Sequence, residues 1–497
     1  MAAGAMLLAA GPRATAADEA RAGAWISPGE AAAFPAAATY PNGYGTLGIV
    51  NTSGPVETKG HPFFTPLGAN GRACVTCHQP SDGMSLSVDT IRSRWQATGG
   101  KDPLFAAVDG SNCPHLPQGE RASHSLLLDR GLFRVALPWP PRRADGGRVE
   151  PEFTIEVVRD PTGCNLSAAY GLKSADPQVS VYRRPRVAAN LKYVVAFNGA
   201  AMFIGKNGLP AAIDPDTGRS TSMNFMADAR HATLKLQAID AIMGHEEAKT
   251  PPTDAQLKQI IDFELGVFSG QQRDGFGKEL TDAKGYPNAV GPTNLANGRT
   301  GVLGDNYRTP VFLFFDEWKR PADARLDPEA AFRASVARGS DVFFDRPFWI
   351  TGAMHINTVG LGSPAKRTCA TCHNMHMTGM DLSAGWMDLG TTNAPWASES
   401  PELPLFKVTC NKDVAPHPFL GRVIYTQDPG RALISGKCND VGTIVMQQFR
   451  GLSARAPYFS NGSARSLREI VDFYDRRFNI RYTEQERQDL VNFLSVL

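Results

Sequence analysis

The sequence predicts a mainly α-helical fold in two domains joined by long irregular insertions. Three observations carry that expectation: a Cys-x-x-Cys-His pentapeptide that occurs twice, amphipathic helices with clear start signals, and few strand signals. The pentapeptides are Cys74-Val75-Thr76-Cys77-His78 and Cys369-Ala370-Thr371-Cys372-His373. In such a unit two thiols add to the vinyl groups of one haem and the adjacent imidazole ligates its iron. A single Cys-x-x-Cys could equally be a redox dithiol or half a zinc site. Two copies, each closed by histidine, point instead to two covalent c-type haems with His78 and His373 as proximal ligands. The fold class is then two c-type cytochrome domains, each around one covalent haem.

Taken in chain order, residues 1–20 read as a truncated signal peptide. Met1 to Ala10 is apolar and Ala14-Thr15-Ala16-Ala17 suits signal peptidase, although the usual Lys/Arg start is missing. No later stretch approaches the roughly 20 apolar residues of a membrane helix, so no membrane span is expected. Residues 25–270 form an N-terminal haem domain with an insertion. In it, Phe153–Val158 is the best strand and reads as the arm of a local hairpin. His231, Leu234, Ala238, Ile242 and His245 share one helical face, and Thr253 caps a further helix carrying Leu257, Ile261, Leu265 and Phe268.

Residues 271–326 read as a connecting segment and 327–497 as the C-terminal haem domain. There Asp327-Pro328 supplies an N-cap and a first-turn proline, followed by Phe332, Val336, Gly339 and Phe343 at helical spacing. Ser466 to Glu469 and Thr483 to Glu486 are capping boxes. The first of the helices they open carries Leu467, Ile470, Val471 and Tyr474 on one face, and the second carries Leu490, Leu494 and Leu497.

The 497 residues hold 51 basic and 49 acidic side chains, so charge gives no reason to expect nucleic acid or an anionic membrane as partner. The 48 glycines and 36 prolines fit long irregular connections between helices. Four cysteines remain outside the pentapeptides, and haem attachment of this kind belongs to an oxidising, periplasmic or secreted setting. Nearness within each half pairs Cys113 with Cys164 and Cys410 with Cys438; four free buried thiols are the alternative.

Further residues carry a family resemblance. Arg455-Ala456-Pro457-Tyr458-Phe459-Ser460-Asn461-Gly462-Ser463, with Leu467 to Tyr474 after it, resembles the signature of the bacterial diheme cytochrome c peroxidase superfamily. Met226-Ala227-Asp228-Ala229-Arg230, followed by Leu234 and Gln237-Ala238, is similar to a second segment of that family, in the same order along the chain. The resemblance is weakest over residues 100–225 and 270–325. The superfamily also includes the maturase of the methylamine dehydrogenase quinone cofactor and the diheme rubber oxygenases, so it narrows the chemistry without fixing it.

The resemblance implies one haem that meets peroxide or oxygen and another that stores or relays an electron. It places His245 on the distal side of the first haem as ligand or acid–base group, with Glu246 as its helper. The plain alternative for His245 is a histidine closing a helix, where its cation would suit the dipole. For the second haem it puts Tyr474 at the distal position, against a core tyrosine as the alternative; Met446, His376, His355 and His417 are the other candidates. A calcium ion is a further cofactor that the resemblance allows.

The chain departs from the family in two places. Ser460 stands where the family has histidine, and Ala227 where it has a tryptophan between the haems; Trp95 or Trp139 could replace that ring in space. The activity implied is reduction of hydrogen peroxide with electrons from a small periplasmic cytochrome c or cupredoxin. A peroxide- or oxygen-dependent oxidase or oxygenase of an organic or protein-borne substrate is the second reading, and a plain electron-transfer cytochrome the third.

Overall fold

The computed structural model describes residues 24–143, 145–195, 225–231, 233–280, 290–297, 315–321, 325, 327–358, 362–373, 378–379 and 386–497. The expected signal segment over 1–20 and His376 lie outside them. The fold is not mainly α. Helices take up 31% of the described residues and strands 20%, the latter spread over six small sheets. The strands escape sequence reading because most are short and pair with remote segments.

The helices that frame the sites start where the caps indicate. They are α1 (Val88–Thr98), α2 (Leu234–His245), α3 (Asp254–Gly266), α4 (Pro328–Asp345), α5 (Leu467–Phe478) and α6 (Glu484–Ser495). Thr253 with Gln256 and Thr483 with Glu486 form complete capping boxes. At α5 the box is half made: Ser466 accepts from the Glu469 N–H at 3.2 Å, but the Glu469 carboxylate takes the Arg465 N–H instead. His231 precedes α2 rather than riding on it and approaches Asp240 at 3.3 Å. The chain leaves α3 at Gly266, so Phe268 belongs to a strand and the buried face of α3 is Leu257, Ile260, Phe263 and Glu264.

The principal strands are β1 (Ala37–Asn42), β2 (Gly45–Asn51), β3 (Phe133–Pro138), β4 (Phe153–Arg159), β5 (Gln178–Arg183), β6 (Val267–Arg273), β7 (Leu405–Cys410) and β8 (Val423–Thr426). One three-stranded sheet runs β1-β2-β6, and β3 pairs with β5. The other three-stranded sheet runs β8-β7-β4, all antiparallel. Thus β4 is no hairpin arm. It pairs with β7 of the C-terminal half, Ile155 opposite Val408 and Phe153 opposite Cys410. β6 runs across residue 270, and its Gln271 N–H donates to the Leu497 carbonyl at 3.2 Å.

Two large apolar clusters form, one beside each pentapeptide. Phe34, Phe63, Phe64, Ile242, Ile260 and Phe263 pack near the first, and Val336, Phe343, Leu467, Val471, Leu490 and Leu494 near the second. In the latter, α4 and α6 touch at Gly339, where a Cβ would run into the Asp489 carbonyl. Disulfides join Cys113 to Cys164 and Cys410 to Cys438, with Cα separations of 5.3 and 5.8 Å. Among the described residues no helix is long and apolar enough to cross a membrane.

Candidate haem sites

Each pentapeptide opens as a short 3-10 turn, Cys74–Thr76 and Cys369–Thr371, in which the threonine hydroxyl accepts the N–H of the residue before the first cysteine. This turn brings both thiols and the histidine to one cavity wall. His78 turns its Nδ1 to the Met84 carbonyl at 3.1 Å, and His373 turns its own to the Gly379 carbonyl at 2.9 Å. With Nδ1 donating, Nε2 keeps its lone pair for a metal. Burial holds both imidazoles down to about 4, that is, neutral. Paired thiols, an oriented neutral imidazole and a largely apolar cavity are what a covalent haem requires, and the residues fit one at each place.

The first cavity is lined by Cys74, Cys77 and His78 and, from α2, by Gln237 and His245. His245 is the last residue of α2, and its Nδ1 lies 2.5 Å from Asp109 Oδ2. Asp109 also pairs with the buried Arg72. Burial opposes the Asp109 charge, yet Arg72 and His245 hold its carboxyl below the usual range. Arg72 is fixed in turn by the Pro103 and Leu104 carbonyls, both at 2.7 Å.

Glu246 follows on the same wall. Its carboxylate accepts the Leu67 N–H at 3.0 Å and lies 3.8 Å from Cys74 Sγ, the atom that stands in for a thioether sulfur. Burial raises it to about 7. Gly68 lets the loop approach, since a Cβ there would strike the Glu246 backbone. Glu264 on α3 lines the same cavity; burial raises it to about 8, and its Oε2 has no hydrogen-bond partner among the described residues.

The second cavity is lined by Cys369, Cys372, His373, Met446, Tyr474 and Tyr482, among others. The His373 and Tyr474 rings stand edge-on with centroids 6.3 Å apart. Burial raises the Tyr474 phenol well above its ordinary value. Tyr482 brings its hydroxyl to 3.8 Å from Cys369 Sγ. Ser460 lines this cavity too, its buried Oγ without a hydrogen-bond partner among the described residues. His355 and His417 do not reach the cavity. His355 accepts the Trp386 indole N–H at 3.0 Å, and His417 accepts the Phe419 and Leu420 N–H groups. Among the described residues no cluster of three or more His, Cys, Asp or Glu side chains could hold a metal ion.

The two cavities share a wall. Arg184, Pro185, Arg186, Ala227, Gln447 and Gln448 line both. Ala227 therefore sits between them, its carbonyl accepting the Val445 N–H at 2.8 Å. Trp95 packs on Phe105 and Trp139 on Phe153, and neither lines a cavity.

A curated relative, the cytochrome-c peroxidase IdrP1 of Pseudomonas sp. (strain SCT), is 28% identical over 239 residues, which cover 42% of this chain and 60% of that protein. Over that stretch the chain is similar to a cytochrome-c peroxidase, and it spans 60% of that relative's length. No family model matches it. Among solved structures, a MauG-like protein associated with microbial copper homeostasis is 16% identical over 62% of this chain and 80% of that one, at a TM-score of 0.27. A xenon-pressurised Kuenenia stuttgartiensis hydrazine synthase is 15% identical over 83% and 93%, at 0.28. At those scores neither likeness bears on the argument.

The thiols and histidines of the two cavities, together with the cytochrome-c peroxidase relative, make haem the expected cofactor. Asp109, Glu264 and Tyr482 are the site residues that sequence reasoning misses. Asp109 stands in an irregular loop with no motif around it. Glu264 hides in a helix that reads as ordinarily amphipathic, and Tyr482 lies beyond the left-handed turn at Asn479 that ends α5.

Proposed function

We propose that this protein is a periplasmic diheme c-type oxidoreductase that reduces hydrogen peroxide with electrons from a small cytochrome c or cupredoxin. The observation that carries the proposal is the first cavity, where a proximal-type histidine shares the walls with an acid held near neutrality and an imidazole oriented by a buried carboxylate. When bound, the two haems supply the iron chemistry and the electron storage. The protein's share is protons and geometry. Reducing peroxide to two waters consumes two protons with two electrons, and a group poised near pH 7 both holds and releases a proton readily. Glu246 has that poise, and His245, aimed by Asp109, is its partner. In this reading His245 and Tyr474 are the distal groups of the first and second haems.

A second reading is favoured by Ala227 and Tyr474. With alanine on the shared wall, the route between haems lacks the family's aromatic ring. A tyrosinate ligand favours higher iron oxidation states. Both features suit a peroxide- or oxygen-dependent oxidase or oxygenase of an organic or protein-borne substrate.

The test begins with holoprotein made alongside the haem-maturation machinery. A pyridine haemochrome assay should count two haems per chain, and one in the Cys369→Ala/Cys372→Ala double variant. Optical and EPR titration with reductant, then with peroxide, should show one haem reacting stoichiometrically and a small donor protein sustaining turnover. Peroxide uptake that requires an organic co-substrate would favour the second reading, and two haems indifferent to peroxide would refute both.

A further inference from the structure

The wall between the cavities carries more positive charge than the described protein neutralises. Arg184 and Arg455 are buried, and Arg186 is half-buried and faces both cavities. Their donors go to backbone carbonyls. Arg184 bonds to Gly131, Leu86 and Arg455, Arg186 to Val445 and Met446 at 3.0 and 2.8 Å, and Arg455 to Gln448. The Arg455 Nε has no hydrogen-bond partner among the described residues. None of the three forms an ion pair among the described residues, in contrast to neighbouring Arg183, which is held by Asp228 and Asp428.

Buried guanidiniums are ordinarily matched by a carboxylate or phosphate, because desolvation is costly and carbonyl dipoles do not cancel a charge. Here burial, and then the charge of Arg455, depress Arg184 to about 9 and Arg186 to about 10; burial also brings Arg455 to about 10. A guanidinium does not deprotonate in a protein. The depression follows from burial without an ion-paired carboxylate among the described residues. The family cofactor carries suitable ones, two propionate carboxylates per haem, and planar guanidinium forks bind carboxylates with two parallel hydrogen bonds.

We propose that Arg184, Arg186 and Arg455 form an anion-binding cradle for the propionate groups of both haems. The inference rests on the diheme reading above. It gives the shared wall a purpose: one cationic strip, mostly from residues 184–186, meets the carboxylates of two cofactors and fixes both relative to each other. It also sets their potentials, since a cation beside a haem favours the form carrying the additional electron.

The test uses holoprotein carrying Arg186→Gln or Arg455→Gln, with haem counting and spectroelectrochemical titration. Thioether attachment should keep two haems per chain. The equilibrium constant for reduction of at least one should fall tenfold or more, about 59 mV for a one-electron couple. Arg186→Lys, which keeps the charge, should hold the midpoints while shifting the propionate carboxylate bands of the redox-difference infrared spectrum; this variant also serves if the glutamine forms fail to fold. Two attached haems with unmoved midpoints in both glutamine variants would overturn the cradle, as would infrared bands indifferent to Arg186→Lys. Fewer than two haems in the unaltered protein would instead overturn the diheme reading beneath it.

Discussion

His245 Nδ1 lies 2.5 Å from Asp109 Oδ2 although 136 residues separate them in the chain. The contact makes a helix-end histidine into an oriented one, because Asp109 is itself clamped by buried Arg72. Removing the imidazole should leave haem content intact. We expect His245→Ala to alter the spectrum of one haem or to slow peroxide consumption by about 10²–10⁴-fold, the usual cost of losing a general acid–base group. Stopped-flow spectra decide it; unchanged spectra and turnover would return His245 to closing α2.

Asp109→Asn should act on stability as well as rate. It strands the Arg72 guanidinium, whose side chain is 1% exposed, without its counter-charge. Breaking a buried pair from one side costs about 3–5 kcal/mol. Chemical denaturation of the two proteins measures this, and a loss below 1 kcal/mol would mean that the Pro103 and Leu104 carbonyls suffice for Arg72.

The buried carboxyls of the first cavity set a pH dependence. Burial raises Glu264 to about 8 and Glu246 to about 7, so the folded chain holds protons that the unfolded chain releases near 4.5. Between those values these two carboxyls bind more protons folded than unfolded, so their contribution to stability falls as pH rises from about 4.5 to about 8, while His78 and His373, held down to about 4, act in the opposite sense up to about 6.5. Glu264→Gln should flatten the upper part of that slope and raise stability above pH 8. Midpoints of urea unfolding across the range provide the check; identical slopes in the two proteins would show that a counter-charge in the holoprotein neutralises the effect.

Tyr474→Met is expected to raise the midpoint potential of one haem and leave the other nearly fixed, since a thioether favours ferrous iron more than a phenolate does. Redox titration separates this from a packing role. A core tyrosine would lose about 1–3 kcal/mol of stability on the same substitution and move neither midpoint.

Gly339→Ala sets helix propensity against packing. In an isolated helix the change is worth up to about 1 kcal/mol in favour of alanine. Here the added methyl meets the Asp489 carbonyl and the Phe493 side chain across the α4–α6 contact. Overpacking of that kind costs about 1–3 kcal/mol, so a net loss is expected. A thermal midpoint equal to or above that of the parent would show that α4 and α6 slide apart freely.

What could be read from the sequence was local. The haem pentapeptides, the caps at Thr253, Asp327 and Thr483, and the placement of His245 and Glu246 beside the first thiols all depend on residues a few positions apart or on the family pattern. What could not be read was remote. β5 is buried along nearly its whole length, which erases the alternation that marks a strand, and its partner β3 lies some forty residues away. Asp109 and Glu264 acquire their meaning only when separate elements converge on one cavity. A mainly helical expectation follows naturally when only local signals are weighed.

The pairing of β4 with β7 has a consequence for how the chain reaches this state. Glu156 and Lys407 meet across it although 251 residues separate them. Closing so long a loop adds little free energy, since each doubling of length costs only about 0.6 kcal/mol, but contacts of such high order form slowly. An N-terminal fragment ending before residue 405 would therefore present β4 with an unsatisfied edge, prone to pairing with another copy of itself. The strand pair thus acts as a clasp that ties the N-terminal half of the chain to the C-terminal half.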